Sequence, residues 1–156
     1  MNNILIRRAI KSDIPIVSKL ATELIDSVKN SGGMAKDVLS ENSRNALTNP
    51  NSYILVAETE GKVIGFISFM TRKTIIHSGP CGLIDELVVS KKYRRKEVGK
   101  ELIKAAIEKC ERLRCCEVEV STESTNVNAR EFYEHCGFEK TGLSNNNLCI
   151  AFCQIE

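Results

Sequence analysis

The sequence predicts a single-domain α/β fold over residues 1–156, with a mixed central β-sheet flanked by helices. Three observations carry this prediction. Segments with apolar residues on alternate positions are interleaved with segments whose apolar residues recur at helical spacing. The stretch LVVSKKYRRKEVGKELI, Leu87 to Ile103, runs an apolar strand through a basic turn straight into an amphipathic helix. A chain of 156 residues with 42% apolar content suffices for one core, and no linker or repeat divides it.

Taken in order, Ile4 to Ile10 alternates enough for a first strand, and Ser12 or Asp13 then caps a helix with Pro15 in its first turn. Ile16, Val17, Leu20, Leu24, Ile25 and Val28 give that helix one buried face, ending near Asn30 ahead of Ser31-Gly32-Gly33. A weaker helix is expected from Asp37 to Leu47, stopped by Asn49-Pro50. Tyr53 to Thr59 and Val63 to Met70 read as a hairpin around Glu60-Gly61-Lys62, with Gly65 marking a bulge. After a polar loop comes a strand from Leu83 to Val89, then a helix from Glu97 to Leu113 that buries Val98, Leu102, Ile103, Ala106, Ile107 and Cys110. Cys115 to Ser121 is expected to lie parallel to the preceding strand across a right-handed crossover. A short helix from Val127 to His135 and closing strands from Phe138 and near Leu148 complete the sheet.

Composition excludes several classes. With 22 basic and 20 acidic residues the net charge is +2, too balanced for a nucleic-acid binder as a whole. Met1 to Arg8 lacks the apolar core of a signal peptide, and the apolar runs fall short of a membrane span, so a soluble cytoplasmic protein with no membrane partner is expected. The seven cysteines show no C-x-x-C spacing and there are two histidines, His77 and His135, so no metal is expected. In a reducing compartment most of the thiols would be small buried hydrophobes, with Cys136 set apart by its neighbour Tyr133. Neither G-x-x-x-x-G-K-[ST] nor G-x-G-x-x-G occurs, which removes the common nucleotide-binding loops.

The chemistry concentrates at the basic turn. The first N–H groups of a helix lack intrahelical partners and carry the positive end of its dipole, so such a start binds anions. Lys91, Lys92, Arg94, Arg95, Lys96 and Lys100 surround it, and Gly99 allows close backbone approach. A solvated basic loop is the plainer alternative.

Val89, Arg94, Glu97 and Gly99 follow V-x-x-x-x-[Q/R]-x-x-G-x-[G/A], except that Glu97 stands where the pattern's first glycine falls. Asn126, Ala129, Phe132, Tyr133, Gly137 and Phe138 match N-x-x-A-x-x-[FL]-Y-x-x-x-G-F. With these two motifs the chain resembles the GNAT superfamily of N-acetyltransferases from about Leu5 to Phe138. Its GLIDELVV strand is similar to that of aminoalkylphosphonate and other small-amine acetyltransferases.

The resemblance implies a GNAT-like fold and acetyl-CoA as co-substrate, its pyrophosphate on the amides from Arg95 to Lys100, Val98 and Gly99 included, with Arg94, Arg95, Lys96 and Lys100 adding charge. Leu87, Val88 and Val89 would meet the pantetheine arm if their strand splays from its neighbour, or else are core residues. Tyr133 is the implied general acid, a phenol near its ordinary pKa of 10 being matched to a thiolate. Asn126 would bind the carrier or orient the tyrosine, and also suits a helix N-cap. The amine's proton needs a base, Glu86 or Asp85, which adjacent strand positions send to opposite faces. Glu86 is preferred because the small-amine acetyltransferases carry Glu there. His77 is either an acceptor-site base or a surface loop residue.

The expected reaction is direct transfer of an acetyl group to a primary amine of a small molecule. A peptide N-terminal acetyltransferase and a non-catalytic acyl-CoA-binding module remain open, as does a homodimer. Residues Ser31 to Asp37 and Thr71 to Gly82, with Lys36, Arg72, Lys73 and His77, would line the acceptor site and suit an amine carrying phosphonate, phosphate or carboxylate.

Overall fold

The structure is a computed structural model, and it describes residues 3–28, 32–143 and 148–155. Its elements in chain order are β1 (Leu5–Arg8), α1 (Ile14–Ser27), α2 (Lys36–Thr48), β2 (Ser52–Thr59), β3 (Lys62–Arg72), β4 (Cys81–Val89), α3 (Val98–Arg112), β5 (Glu117–Glu123), α4 (Val127–His135), β6 (Glu139–Leu143) and β7 (Leu148–Gln154), with 3-10 turns at Lys11–Asp13 and Lys91–Tyr93. Strands β4 and β5 are parallel while β1 and β2, β5 and β7, and β6 and β7 are antiparallel, which makes the strand pairing mixed as expected.

The chain forms two compact units, one of residues Met1–Ser68 with Glu86–Ala105, the other of Phe69–Asp85 with Ala106–Glu156. In the first, β1 pairs with β2 from Leu5↔Glu58 to Arg8↔Leu55. Ala9, Val17, Leu20, Ile54, Val56, Phe66 and Val88 form its buried cluster, against which Ile16, Leu24 and Leu47 pack. Periodicity placed Ile16, Val17, Leu20 and Leu24 correctly. Val28 is exposed instead, because α1 stops at Ser27 and the residue leaves the apolar stripe. The expected end of α1 near Asn30 and Ser31 lies outside the described residues.

Asp13 does not cap α1 with its side chain. It is buried, and its carboxylate takes a two-pronged bond from Arg7 at 2.7 and 3.0 Å and the Ile10 backbone N–H at 2.8 Å. Arg7 also donates to Glu58 at 2.8 Å. Gly65 is needed for a close approach, since a Cβ there would stand 2.8 Å from the Val88 carbonyl oxygen.

In the second unit, β4 and β5 pair from Cys81↔Glu117 to Ile84↔Val120. Strand β4 thus begins two residues before the predicted Leu83. Strand β5 begins two residues after the predicted Cys115, because the chain leaving α3 is still turning: Arg114 takes φ +59° and Cys115 N–H bonds back to the Cys110 carbonyl at 3.0 Å. Strand β7 pairs with β5 along Glu117–Glu123 and with β6 on its other edge, where the register shifts between Lys140 and Gly142.

Candidate functional site

The strand-turn-helix lies in the first unit. Beyond Val89 the chain makes one 3-10 turn at Lys91–Tyr93, and α3 opens at Val98, one residue later than predicted, because Glu97 has φ +64° and is not helical. Arg95 is also left-handed, at φ +59°. Intrahelical bonding starts with Glu101 N–H to the Glu97 carbonyl at 3.0 Å, so the N–H groups of Val98, Gly99 and Lys100 precede the first helical bond. Val98 and Leu102 are buried and anchor the helix.

Lys91, Lys92, Arg94, Arg95, Lys96 and Lys100 are all exposed. Lys92 and Lys96 place their Nζ atoms 5.8 and 5.4 Å from the Tyr93 ring centroid, which gathers two cations around one aromatic ring. Arg94 donates through Nε to the Val89 carbonyl at 3.0 Å, a contact that folds the turn back on its strand and occupies one of the groups expected to meet pantetheine. The Glu97 carboxylate points outward to Lys100 Nζ at 3.2 Å. The parallel ladder of β4 stops at Ile84, so Leu87, Val88 and Val89 lie beyond it. Among them Val88 is buried, while Leu87 and Val89 are half-buried.

Asp85 and Glu86 are both exposed rather than desolvated. Glu86 is held by Ser68, whose hydroxyl donates to the Glu86 carboxylate and accepts the Glu86 backbone N–H at 3.2 Å. Ser68 carried no signal in the sequence, since only the register of β3 against β4 brings it there.

The second motif lies wholly in the second unit. Asn126 caps α4, its Oδ1 accepting the Ala129 N–H at 3.1 Å. At the other end Gly137, with φ +94°, ends the helix: its N–H bonds to the Glu134 carbonyl and that of Phe138 to the Tyr133 carbonyl, each at 3.0 Å. The glycine and phenylalanine of the pattern are therefore a helix stop built around the tyrosine. The Tyr133 ring packs edge to face on Phe132 and Phe138, with centroids 5.3 and 5.6 Å apart.

Burial, with Cys136 adding to it, pushes the Tyr133 phenol up to about 12. The expectation of an ordinary phenol is corrected accordingly. Burial likewise pushes the Cys110 thiol up to about 12. Of the remaining cysteines described with side chains, Cys81 and Cys115 are buried, and Cys116 and Cys136 half-buried.

Residues 20–138 match the model of the acetyltransferase (GNAT) family, and the chain belongs to that family. Over 86 residues it is 37% identical to N-alpha-acetyltransferase 30 of Dictyostelium discoideum, covering 54% of this chain and 45% of that protein. It is 33% identical over 94 residues to glucosamine 6-phosphate N-acetyltransferase of Schizosaccharomyces pombe, covering 58% of this chain and 82% of the relative. The chain spans about half the length of the first curated relatives it matches, 45% and 59%. In fold it is similar to an aminoglycoside N-acetyltransferase solved with CoA, at TM-score 0.81 and 21% identity over 91% of both chains. Among the described residues no helix is long and apolar enough to cross a membrane.

Proposed function

We propose that this chain transfers an acetyl group from acetyl-CoA to a primary amine by direct attack of the amine on the thioester. The observation that carries the reading is the opening of α3, where Val98, Gly99 and Lys100 present backbone N–H groups with no helical partner beneath six exposed cations. Backbone donors hold a pyrophosphate in place, while exposed lysines and arginines add charge that salt screens. The solved relative holding CoA supports the choice of anion. Leu87 to Val89, beyond the parallel ladder, are the proposed partners of the amide-rich arm.

Tyr133 is the proposed acid and Glu86 or Asp85 the proposed base, with Asn126 positioning the tyrosine's helix. A phenol near 12 would donate uphill to a solvated thiolate, whose conjugate acid lies near 8 to 9, by about 4 kcal/mol or more. Desolvation moves both partners. The buried Cys110 thiol is itself near 12, and a thiolate formed in an equally dry environment would again be matched to Tyr133.

For the acceptor we favour a small amine bearing an anionic group, of the phosphonate or phosphate kind, with no nucleic acid or membrane partner. The support is the likeness to glucosamine 6-phosphate N-acetyltransferases together with two exposed cations, Lys36 at the first position of α2 and Lys73 in the loop after β3. Arg72 contributes less than expected, being 3.8 Å from Glu119. A second reading, acetylation of a peptide N-terminus, is favoured by the 37% identity to N-alpha-acetyltransferase 30.

Thermal unfolding with CoA, followed by thiol release from acetyl-CoA over a panel of phosphorylated amines, simple amines and peptides, tests the proposal. At 100 times its Kd, CoA should add about 2.7 kcal/mol of stability. Gly99→Asp, which sets a carboxylate against the phosphates, should abolish that gain. Stabilisation persisting in the variant would refute the carrier site, and stabilisation by CoA without thiol release on any amine would leave a binding module.

A further inference from the structure

Away from the anion turn, three segments of the second unit converge on one point. Register places Cys81 of β4 directly opposite Glu117 of β5, on the same face of a parallel pair. The loop before β4 adds His77. Its Nε2 stands 3.3 Å from Glu117 Oε1, and Cys81 Sγ stands 3.7 Å from the same oxygen. All three donor atoms lie within 4.8 Å of one another. Cys81 is 1% exposed, while the His77 and Glu117 side chains are 32% and 17% exposed, so the cluster is walled on one side and open to entry on the other.

We infer that His77, Cys81 and Glu117 form a binding site for a thiophilic divalent cation of the Zn2+ class. The spacings are those of neighbouring ligands around such an ion. With Zn–S near 2.3 Å and Zn–N or Zn–O near 2.0 to 2.1 Å, tetrahedral neighbours stand about 3.3 Å apart for N and O, about 3.5 Å for S and O, and about 3.8 Å for two sulfurs. A fourth donor is at hand, because Cys116 Sγ lies 3.8 Å from Cys81 Sγ, now directed at the Gly79 and Pro80 carbonyls at 3.6 Å.

The imidazole is held in place by Thr74. His77 Nδ1 lies 2.6 Å from the Thr74 hydroxyl, which also accepts the His77 backbone N–H at 3.3 Å. The hydroxyl can take either role toward Nδ1, and in the tautomer in which it accepts from Nδ1–H the lone pair lies on Nε2, the atom that faces Cys81 and Glu117. The loop itself is docked. A Cβ on Gly79 would stand 2.6 Å from the Arg114 carbonyl oxygen, and Cys116 N–H bonds to the Pro80 carbonyl at 2.9 Å. No C-x-x-C spacing announces such a site, because its ligands come from a loop, a strand start and the next strand. It stands independently of acetyl transfer. Its expected effect is to clip the loop between β3 and β4 to the strands beside it.

The experiment titrates the full chain, reduced and freed of metal by chelation, with Co2+ and follows thiolate-to-cobalt charge-transfer absorption. About one equivalent should saturate the band, and Zn2+ should displace it while raising the melting temperature. His77→Ala and Glu117→Gln should each weaken binding at least 10-fold, and Cys81→Ser should remove the band. The first two lie at partly exposed positions, so the test survives if Cys81→Ser does not fold. Absence of a band in the unaltered chain overturns the inference. An undiminished band in both His77→Ala and Glu117→Gln overturns it too, since the metal would then sit on other cysteines.

Discussion

The backbone N–H of Phe138 donates to the carbonyl of Tyr133 at 3.0 Å, and the rings of the same two residues meet edge to face with centroids 5.6 Å apart. Backbone and side chain thus tie the tyrosine to the stop of its own helix. Its ring orientation is set by local contacts with Phe132 and Phe138, so the hydroxyl can be removed without loosening them.

Tyr133→Phe should therefore leave CoA affinity and fold nearly unchanged while turnover at saturating amine falls about 10²- to 10⁴-fold, as for loss of a general acid. The pH response carries a second signature. Folding raises the phenol from its ordinary 10 to about 12, so the native state holds that proton more tightly. The resulting stability, about 3 kcal/mol, is complete below pH 10 and lost as pH climbs toward 12. Melting temperatures of the parent and the variant should lie close together near pH 8.5 and separate toward pH 11, the parent falling below the variant; parallel curves would contradict a desolvated phenol.

Glu97 holds a left-handed conformation, φ +64°, that costs a residue with a side chain about 1 kcal/mol. Glu97→Gly should release that strain and remove a carboxylate from the edge of the anion site. Its exposed contact with Lys100 contributes little. The variant should melt higher by an amount matching about 1 kcal/mol and bind CoA more tightly at low salt, read by unfolding curves and calorimetric titration. Weaker CoA binding would show that the side chain itself takes part.

Glu86 and Asp85 separate by chemistry. If Glu86 removes the amine proton, Glu86→Gln should lower turnover by about 100-fold or more, whereas Asp85→Asn should not. Ser68→Ala should also lower turnover, because its hydroxyl holds the Glu86 carboxylate in place. The reverse pattern would reassign the base to Asp85.

Acid stability should track Asp13. The Arg7 guanidinium holds this buried carboxyl below the usual range, with the Ile10 N–H assisting. A depressed carboxyl contributes stability above its unfolded value near 3.9 and loses it as pH falls through that value and below. Arg7→Met leaves the charge unpaired and should cost about 3 to 5 kcal/mol at neutral pH, shrinking as acid protonates Asp13. Urea unfolding at pH 7 and pH 3 measures both terms.

Much of this was legible in the residues themselves. Apolar spacing located Val17 and Leu20 in α1 and Leu102, Ala106 and Cys110 in α3, because burial on one helix face leaves a periodic trace. Helix α4 was bounded correctly at Val127 and His135, its cap and its glycine stop both being local signals. What escaped depends on partners distant in sequence. Asp13 looks like a cap until Arg7 pairs with it, Ser68 is silent until β3 lies beside β4, and Cys81 meets Glu117 through strand register alone. The Tyr133 pKa was misjudged for the same reason, since burial is a property of the assembled ring contacts.

Strand β7 is threaded between β5 and β6, two segments that precede it in the chain. Strand β6 has a neighbour close in sequence, but β5 must wait for Leu148–Gln154 to return from beyond α4. A hairpin can form in microseconds, whereas its capture by β5 closes a long loop and is the slower event. During that interval β5 has one open edge, so the folding rate should respond to substitutions along Glu117–Glu123 far more than to those in β6, and the waiting edge is where misassociation between chains would start.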